Sequence, residues 1–260
     1  MPKSRKRLLS KTPNAHIVLG VAIVTLMVFI GMTAFMNTNV ISVEGASVYT
    51  VDEIVKATGL STGDNLIFIN TQDVSQKIRN ALPFVSAAEI TRRLPDTVII
   101  KITESHAVAR VAFAGDTLVI DATARVLARG RANALIMPGI EVNNLIEIRG
   151  VDIDNAVEGR VLTPEVGAET KLLYIQDILA AFVREDITDD VSYLDVSNIT
   201  NIHFGYLDIY RVVLGRIGNL RHNLGRLPDS VEFVQHRSPN TVGTINMSDP
   251  YAEPRFTPGE

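Results

Sequence analysis

Residues 17–36, IVLGVAIVTLMVFIGMTAFM, run for twenty positions without a charged side chain, and no other feature limits the architecture of this chain so strongly. As a helix the run is about 30 Å long, the thickness of a hydrocarbon core. Lys3, Arg5, Lys6, Arg7 and Lys11 precede it with no acidic residue among them, and no charge follows until Glu44. That asymmetry predicts a cytoplasmic N-terminus and an extracytoplasmic remainder. A cleaved signal peptide is the competing reading, but its apolar region is normally about 7–15 residues long and ends in a small-x-small site. Gly31-Met32-Thr33 matches such a site poorly and lies inside the run. The expectation is a basic tail (1–16) followed by one retained transmembrane helix (17–36).

Without those five basic residues the chain holds 20 Lys+Arg against 29 Asp+Glu, a formal charge of −9. An acidic exterior argues against binding nucleic acid or an anionic lipid surface. The absence of cysteine excludes disulfides, thiolate zinc sites and cysteine nucleophiles.

Three residues after the run, Val40–Glu44 alternates around Ile41 and Val43 as a strand does, and Gly45 supplies a turn. Thr50-Val51-Asp52-Glu53 has capping-box spacing, so a short helix starts there, presents Val51, Ile54 and Val55, and stops at Gly59. Asn70 or Thr71 opens a second helix with Val74, Ile78 and Leu82 on one face, ended by Pro83. Val85–Arg92 and Thr97–Glu104 read as strands, the latter with Val98, Ile100 and Ile102 on one side. The order is β-α-α-β-β.

That order, with Ile41-Ser42-Val43-Glu44-Gly45 directly after the span, Asp52-Glu53-Ile54, Gly63-Asp64-Asn65-Leu66, Pro83-Phe84-Val85 and Arg92-Arg93-Leu94-Pro95-Asp96-Thr97 closing at Glu104, resembles the POTRA domain of the bacterial cell-division family FtsQ/DivIB. One departure is Ser105-His106-Ala107, where the family usually has arginine and soon a proline.

Beyond residue 108 short strand candidates dominate: Ala109–Ala114, Thr117–Asp121, Arg125–Ala128, Leu145–Arg149, Val191–Val196, Ile202–Phe204 and Leu207–Leu214. A helix over 170–184 carries Leu172, Ile175, Leu179 and Phe182 on one face, and Leu220, Leu224 and Leu227 suggest a short helix stopped by Pro228. A last strand is expected over Thr241–Ser248. This region is similar to the β domain of the same family through Leu118-Val119-Ile120-Asp121, Met137-Pro138-Gly139-Ile140, Val213-Leu214-Gly215 and Gly243-Thr244-Ile245-Asn246-Met247-Ser248. Ala122-Thr123-Ala124 lacks the glycine common in that turn, the late helix lacks its usual lysine, and Asn246 stands where aspartate is usual. The expected fold class is α+β: one N-terminal transmembrane helix, a POTRA domain (37–108), a mostly antiparallel β domain with flanking helices (109–248), and a disordered tail (249–260) punctuated by Pro250, Pro254 and Pro258.

Catalytic signatures are missing from the sequence. His16, His106, His203, His222 and His236 show no metal-ligand spacing, no serine is followed by lysine three positions on, and no Walker A loop, G-x-S-x-G elbow or G-x-G-x-x-G occurs. Asp189-Asp190 and Asp152/Asp154 could imitate a glycosidase dyad, though carboxylates in polar turns are usually solvated. No cofactor, metal or catalytic residue is expected, and binding is the remaining function. A final strand at a sheet edge offers unpaired backbone groups to an incoming strand. Thr241, Val242, Gly243, Thr244, Ile245, Asn246, Met247 and Ser248 contain no proline, lysine or arginine to block such pairing; the alternative is that both sides of this strand pair internally.

The resemblance implies that this strand receives a strand from a small single-span coiled-coil division protein of the FtsB/DivIC type, acting with an FtsL-type partner. It implies a non-enzymatic assembly protein at the septum that influences septal peptidoglycan synthesis, with one membrane span. A POTRA-bearing component of transport or secretion, or a tethered cell-wall enzyme, are the rival readings. Only one POTRA copy is evident, which counts against the first.

Overall fold

The computed structural model describes residues 15–34, 36–131, 135, 137, 139–216, 218, 220–239, 241–249 and 252–259. Most of the expected basic tail lies outside these residues. Helix α1 (Ala15–Ala34) is twenty residues long. The large side chains described on its first turns are exposed all round, Ile17, Val18, Leu19 and Val21 at 59–65%. The side chains of residues 29, 30 and 32–34 lie outside the described set, and among the described residues no helix is long and apolar enough to cross a membrane.

The chain after α1 is tied down at once. Leu66 N donates to Met36 O at 2.7 Å, Thr38 N to Asp64 O at 2.7 Å and Gly63 N to Thr38 O at 2.8 Å. Then come β1 (Val40–Glu44), α2 (Val51–Thr58), α3 (Thr71–Ala81), β2 (Val85–Arg93) and β3 (Thr97–Glu104), in the expected β-α-α-β-β order. The capping box forms at Thr50 and Glu53, and Gly59 ends α2 at φ 69°, a left-handed conformation that costs glycine little. Val51 is 52% exposed while Ile54 is fully buried, so the face of α2 that packs is narrower than its apolar positions suggest. A three-stranded sheet ordered β1-β3-β2 buries Val98, Ile100 and Ile102 against Ile54, Val74 and Ile78 of the helices.

A nine-stranded sheet follows. Its members in chain order are β4 (Ala109–Phe113), β5 (Asp116–Ile120), β6 (Val126–Gly130), β7 (Ile146–Arg149), β10 (Val191–Asp195), β11 (Ile202–Tyr206), β12 (Tyr210–Gly215), β13 (Gly243–Asn246) and β14 (Arg255–Pro258). The short pair β8 (Ile153–Asn155) and β9 (Thr163–Pro164) lies apart from it. Across the sheet the order is β14-β13-β12-β11-β10-β7-β4-β5-β6. Pairing is mostly antiparallel, but β7–β10, β4–β7 and β12–β13 are parallel. Parallel neighbours need a crossover. Helix α4 (Glu169–Arg184) lies between β7 and β10 in the chain, and α5 (Leu220–Gly225) with α6 (Leu227–Arg237) between β12 and β13. Ile175, Ile178, Leu179 and Phe182 of α4 are fully buried, with the Phe182 ring 4.9 Å from that of Phe204 on β11.

Two expectations are corrected here. Pro228 does not stop a helix; it stands in the first turn of α6, where a missing N–H costs nothing because those donors have no intrahelical partner. Leu227, Val231 and Val234 give α6 its buried face. The tail beyond residue 248 is not wholly without structure, because Arg255–Pro258 forms β14. Residues 250, 251 and 260 lie outside the described set.

The two sheets meet at a polar joint. Asp121, 6% exposed, accepts bonds from Ser105 Oγ at 2.8 Å, Thr123 N at 2.8 Å and Arg125 N at 3.0 Å. Those bonds hold a turn in which Ala124 adopts φ 60° without the glycine that such a conformation favours. Arg125, also 6% exposed, sends its guanidinium across to the first sheet, donating to Arg79 O at 2.8 Å and Pro83 O at 3.1 Å. Phe84 packs beside it on Val119, Leu127 and Val142.

Candidate strand-addition site

Only part of the expected binding strand is a strand. Thr241 and Val242 lead into β13 with Val242 60% exposed, Gly243–Asn246 form it, and Met247 and Ser248 follow it. Gly243 and Ile245 are buried, Thr244 is half-buried and Asn246 is exposed, as a strand with one face on a core requires. Met247 is 2% exposed, and its carbonyl accepts from the buried Asn223 side chain at 3.0 Å. Ser248 N donates to Asn246 Oδ1 at 3.0 Å, so this asparagine supplies the oxygen that the usual aspartate would.

Gly243 N donates to Ile209 O at 3.1 Å and Met247 N to Val213 O at 2.8 Å, which turns the odd-numbered residues toward β12. Alternation turns the backbone groups of Thr244 and Asn246 to the other side. The sequence leaves that side either free or paired internally, and here it is paired: β14 runs antiparallel to β13, with Thr244 opposite Thr257, Ile245 opposite Phe256 and Asn246 opposite Arg255. The chain's own end covers β13, so β14 rather than β13 is the last strand at this end of the sheet.

Residues outside 241–248 also shape the site, and Phe256, Arg226 and Phe233 had no distinct signal in the sequence. Phe256 sits on the same face as Ile245 and Gly243, its ring edge-on to Tyr210 of β12 at 6.2 Å. Arg226 donates through both terminal nitrogens to Ala252 O, at 3.2 and 3.1 Å. Phe233 of α6, 57% exposed, completes a cleft of about 350 Å³ bordered by Asp229, Val234, Ile245 and Phe256. A proline-spaced tail hid the short alternation around Phe256.

Elsewhere the polar clusters are internally paired. Glu147 meets Arg149 at 2.7 Å, which holds its carboxyl below the ordinary carboxylate range, and the Arg149 guanidinium lies 4.3 Å over the Tyr193 ring. Asp152, Asp154, Asp189 and Asp190 are all exposed, Asp152 facing Lys171 at 3.5 Å, so neither carboxylate pair is held in a low-dielectric site. Among the described residues no group of three or more His, Cys, Asp or Glu is placed to hold a metal ion.

Residues 36–105 match the model of the FtsQ-type POTRA domain. The chain is similar to the cell division protein DivIB of Clostridium acetobutylicum, 24% identical over 73% of this chain and 71% of that protein. It is similar to DivIB of Clostridium tetani, 19% identical over 74% of this chain and 68% of the relative. The cell division protein FtsQ of Corynebacterium glutamicum is 26% identical over 54% of this chain and 60% of its own length. The matched first sheet, the order of elements around it and these relatives all support the FtsQ/DivIB family of cell-division proteins.

Proposed function

We propose that this chain is a non-enzymatic assembly protein of the bacterial divisome. Anchored by one N-terminal span, it takes a strand from an FtsB/DivIC-type coiled-coil protein, paired with an FtsL-type partner, at the C-terminal margin of its large sheet, and so helps control septal peptidoglycan synthesis. The observation that carries this reading is the margin itself: β13 turns the backbone groups of Thr244 and Asn246 toward a side covered by the short strand β14. Backbone bonds there give affinity, and the alternate side chains beside the cleft give selectivity.

Support for the span comes from α1, whose described large apolar side chains from Ile17 to Val28 are exposed. With Met36 and Thr38 already bonded into the first sheet's loop, almost no slack separates that helix from the folded part. A membrane-anchored partner emerging at the same height then meets the site at raised effective concentration.

Hydrogen exchange of the purified protein with and without the coiled-coil partner tests the reading. Slowed exchange confined to 241–259 is expected, with loss of co-purification when Thr244→Pro removes an outward donor. Protection of other elements alone, or unchanged capture by a folded Thr244→Pro protein, refutes it. A fluorescent fusion should gather at midcell.

A further inference from the structure

The tail strand is held on β13 by a few specific ties, and each is small. Its ladder has four residue pairs, extended by Gly259 N donating to Val242 O at 2.8 Å. Pro254 precedes it and Pro258 ends it, and a proline has no backbone donor to add. Arg255, Thr257 and Pro258 are exposed, leaving Phe256 as the single apolar anchor, itself only half-buried.

That anchor occupies a shaped seat. A Cβ built on Gly243 would lie 2.5 Å from Phe256 Cε2 and 2.6 Å from Thr257 O, so only glycine lets the ring and the tail backbone lie this close to β13. Tyr210, opposite Gly243 on β12, is 2% exposed, and its hydroxyl is buried with no hydrogen-bond partner among the described residues. The resident phenylalanine has no polar atom to offer it. A seat cut for a large ring, filled by a short strand with one half-buried anchor, is built for exchange rather than permanent closure.

We propose that β14 is a stand-in for a partner's strand, and that docking proceeds by replacement. An incoming antiparallel strand lifts residues 252–259 off β13 and places a large apolar side chain, best an aromatic one, over Gly243 beside Tyr210 and Ile245. This inference rests on the reading that the partner docks at this margin, and adds that the resident strand must leave first. The partner's apparent affinity is then reduced by the fraction of molecules in which β14 is detached.

The absence of cysteine makes a clean test possible. Thr244 and Thr257 are directly opposed and lie on the face away from the core, so Thr244→Cys with Thr257→Cys locks β14 in place when oxidised. The probe is a labelled peptide carrying residues 252–259. The reduced protein should take up the peptide and the oxidised protein should not, with at least a tenfold difference in apparent affinity. A chain ending at Asp249 should bind the peptide more tightly than either, and a peptide with Phe256→Ala should bind that chain at least tenfold more weakly. The coiled-coil partner should be captured by the reduced form and released from competition by the shortened chain. Equal peptide uptake by the oxidised and reduced forms overturns the inference, as does partner capture indifferent to the lock, which would put the partner outside β14 and leave the proposed function standing. If peptide exchange follows the lock but no form captures the partner, the exchangeable site is supported and the partner reading fails. Should the shortened chain not fold, the oxidised and reduced full-length forms still decide the matter.

Discussion

Replacing Arg125 with alanine cuts the joint between the two sheets. The guanidinium donates to Arg79 O at 2.8 Å and Pro83 O at 3.1 Å, and bonds from a charged donor contribute about 1.5–3 kcal/mol each. Part of that gain is offset by taking a cation out of water: burial, reinforced by the nearby Arg79 charge, pushes the Arg125 pKa down. A net loss of about 2–4 kcal/mol is expected, since the carbonyls of Arg79 and Pro83 lose a charged donor in a partly buried place. At roughly 2–4 °C per kcal/mol for a chain of this size, the melting midpoint should fall by about 4–16 °C. Hydrogen exchange should quicken over 79–84 and around the Asp121–Val126 turn while β10–β13 stay protected. Arg125→Lys should recover only part of the loss, because one ammonium cannot fork to both carbonyls as the guanidinium does. A midpoint lowered by less than about 2 °C, with exchange over 79–84 unchanged, would refute the view that this side chain fastens the sheets together.

The Glu104 carboxylate accepts from Ser47 N at 2.8 Å, Val48 N at 2.9 Å and the Ser47 hydroxyl. Its partial burial opposes ionisation, but those bonds and nearby His106 outweigh it and hold the pKa below the ordinary 4.5. The folded-state value being the lower one, its stabilisation is complete above the unfolded-state pKa and is lost as pH falls through the folded-state pKa. Glu104→Gln should therefore cost about 1–2 kcal/mol in urea melts at neutral pH and nothing at pH 2; an equal cost at both would exclude the charge as the cause. Thr50→Ala removes the cap of α2 and should cost about 0.5–2 kcal/mol, read as a lower urea midpoint at unchanged slope. Gly150→Ala should destabilise by more than about 2 kcal/mol, because φ is 78° and the new Cβ would lie 2.3 Å from Ser197 N, a backbone atom that cannot step aside. A wild-type melting curve for that variant would contradict the geometry.

Local signals in the sequence carried the first sheet almost completely. The capping box at Thr50, the left-handed stop at Gly59, the four-residue spacing of Val74, Ile78 and Leu82 and the alternation of Val98, Ile100 and Ile102 each concern neighbours within one turn or one strand, and each appears where expected. α6 was hidden because a proline at its start reads as a stop unless the first-turn exception applies. Asn246 and Ala124 depart from the family pattern, yet the Asn246 side-chain oxygen and the Asp121 carboxylate keep both turns in shape.

What the sequence by itself determined is the set of elements and their apolar faces: a twenty-residue charge-free run, the β-α-α-β-β order, and a late strand with no side chain to prevent pairing. Which strand stands at the margin was decided only in three dimensions. Strand order in a sheet depends on contacts between residues far apart in the chain, and a residue's own neighbours say nothing about whether its outward backbone groups are met. Here Phe256 reaches the notch at Gly243 and Arg226 reaches the Ala252 carbonyl, so the strand that sequence reading left open is covered by the chain's own end.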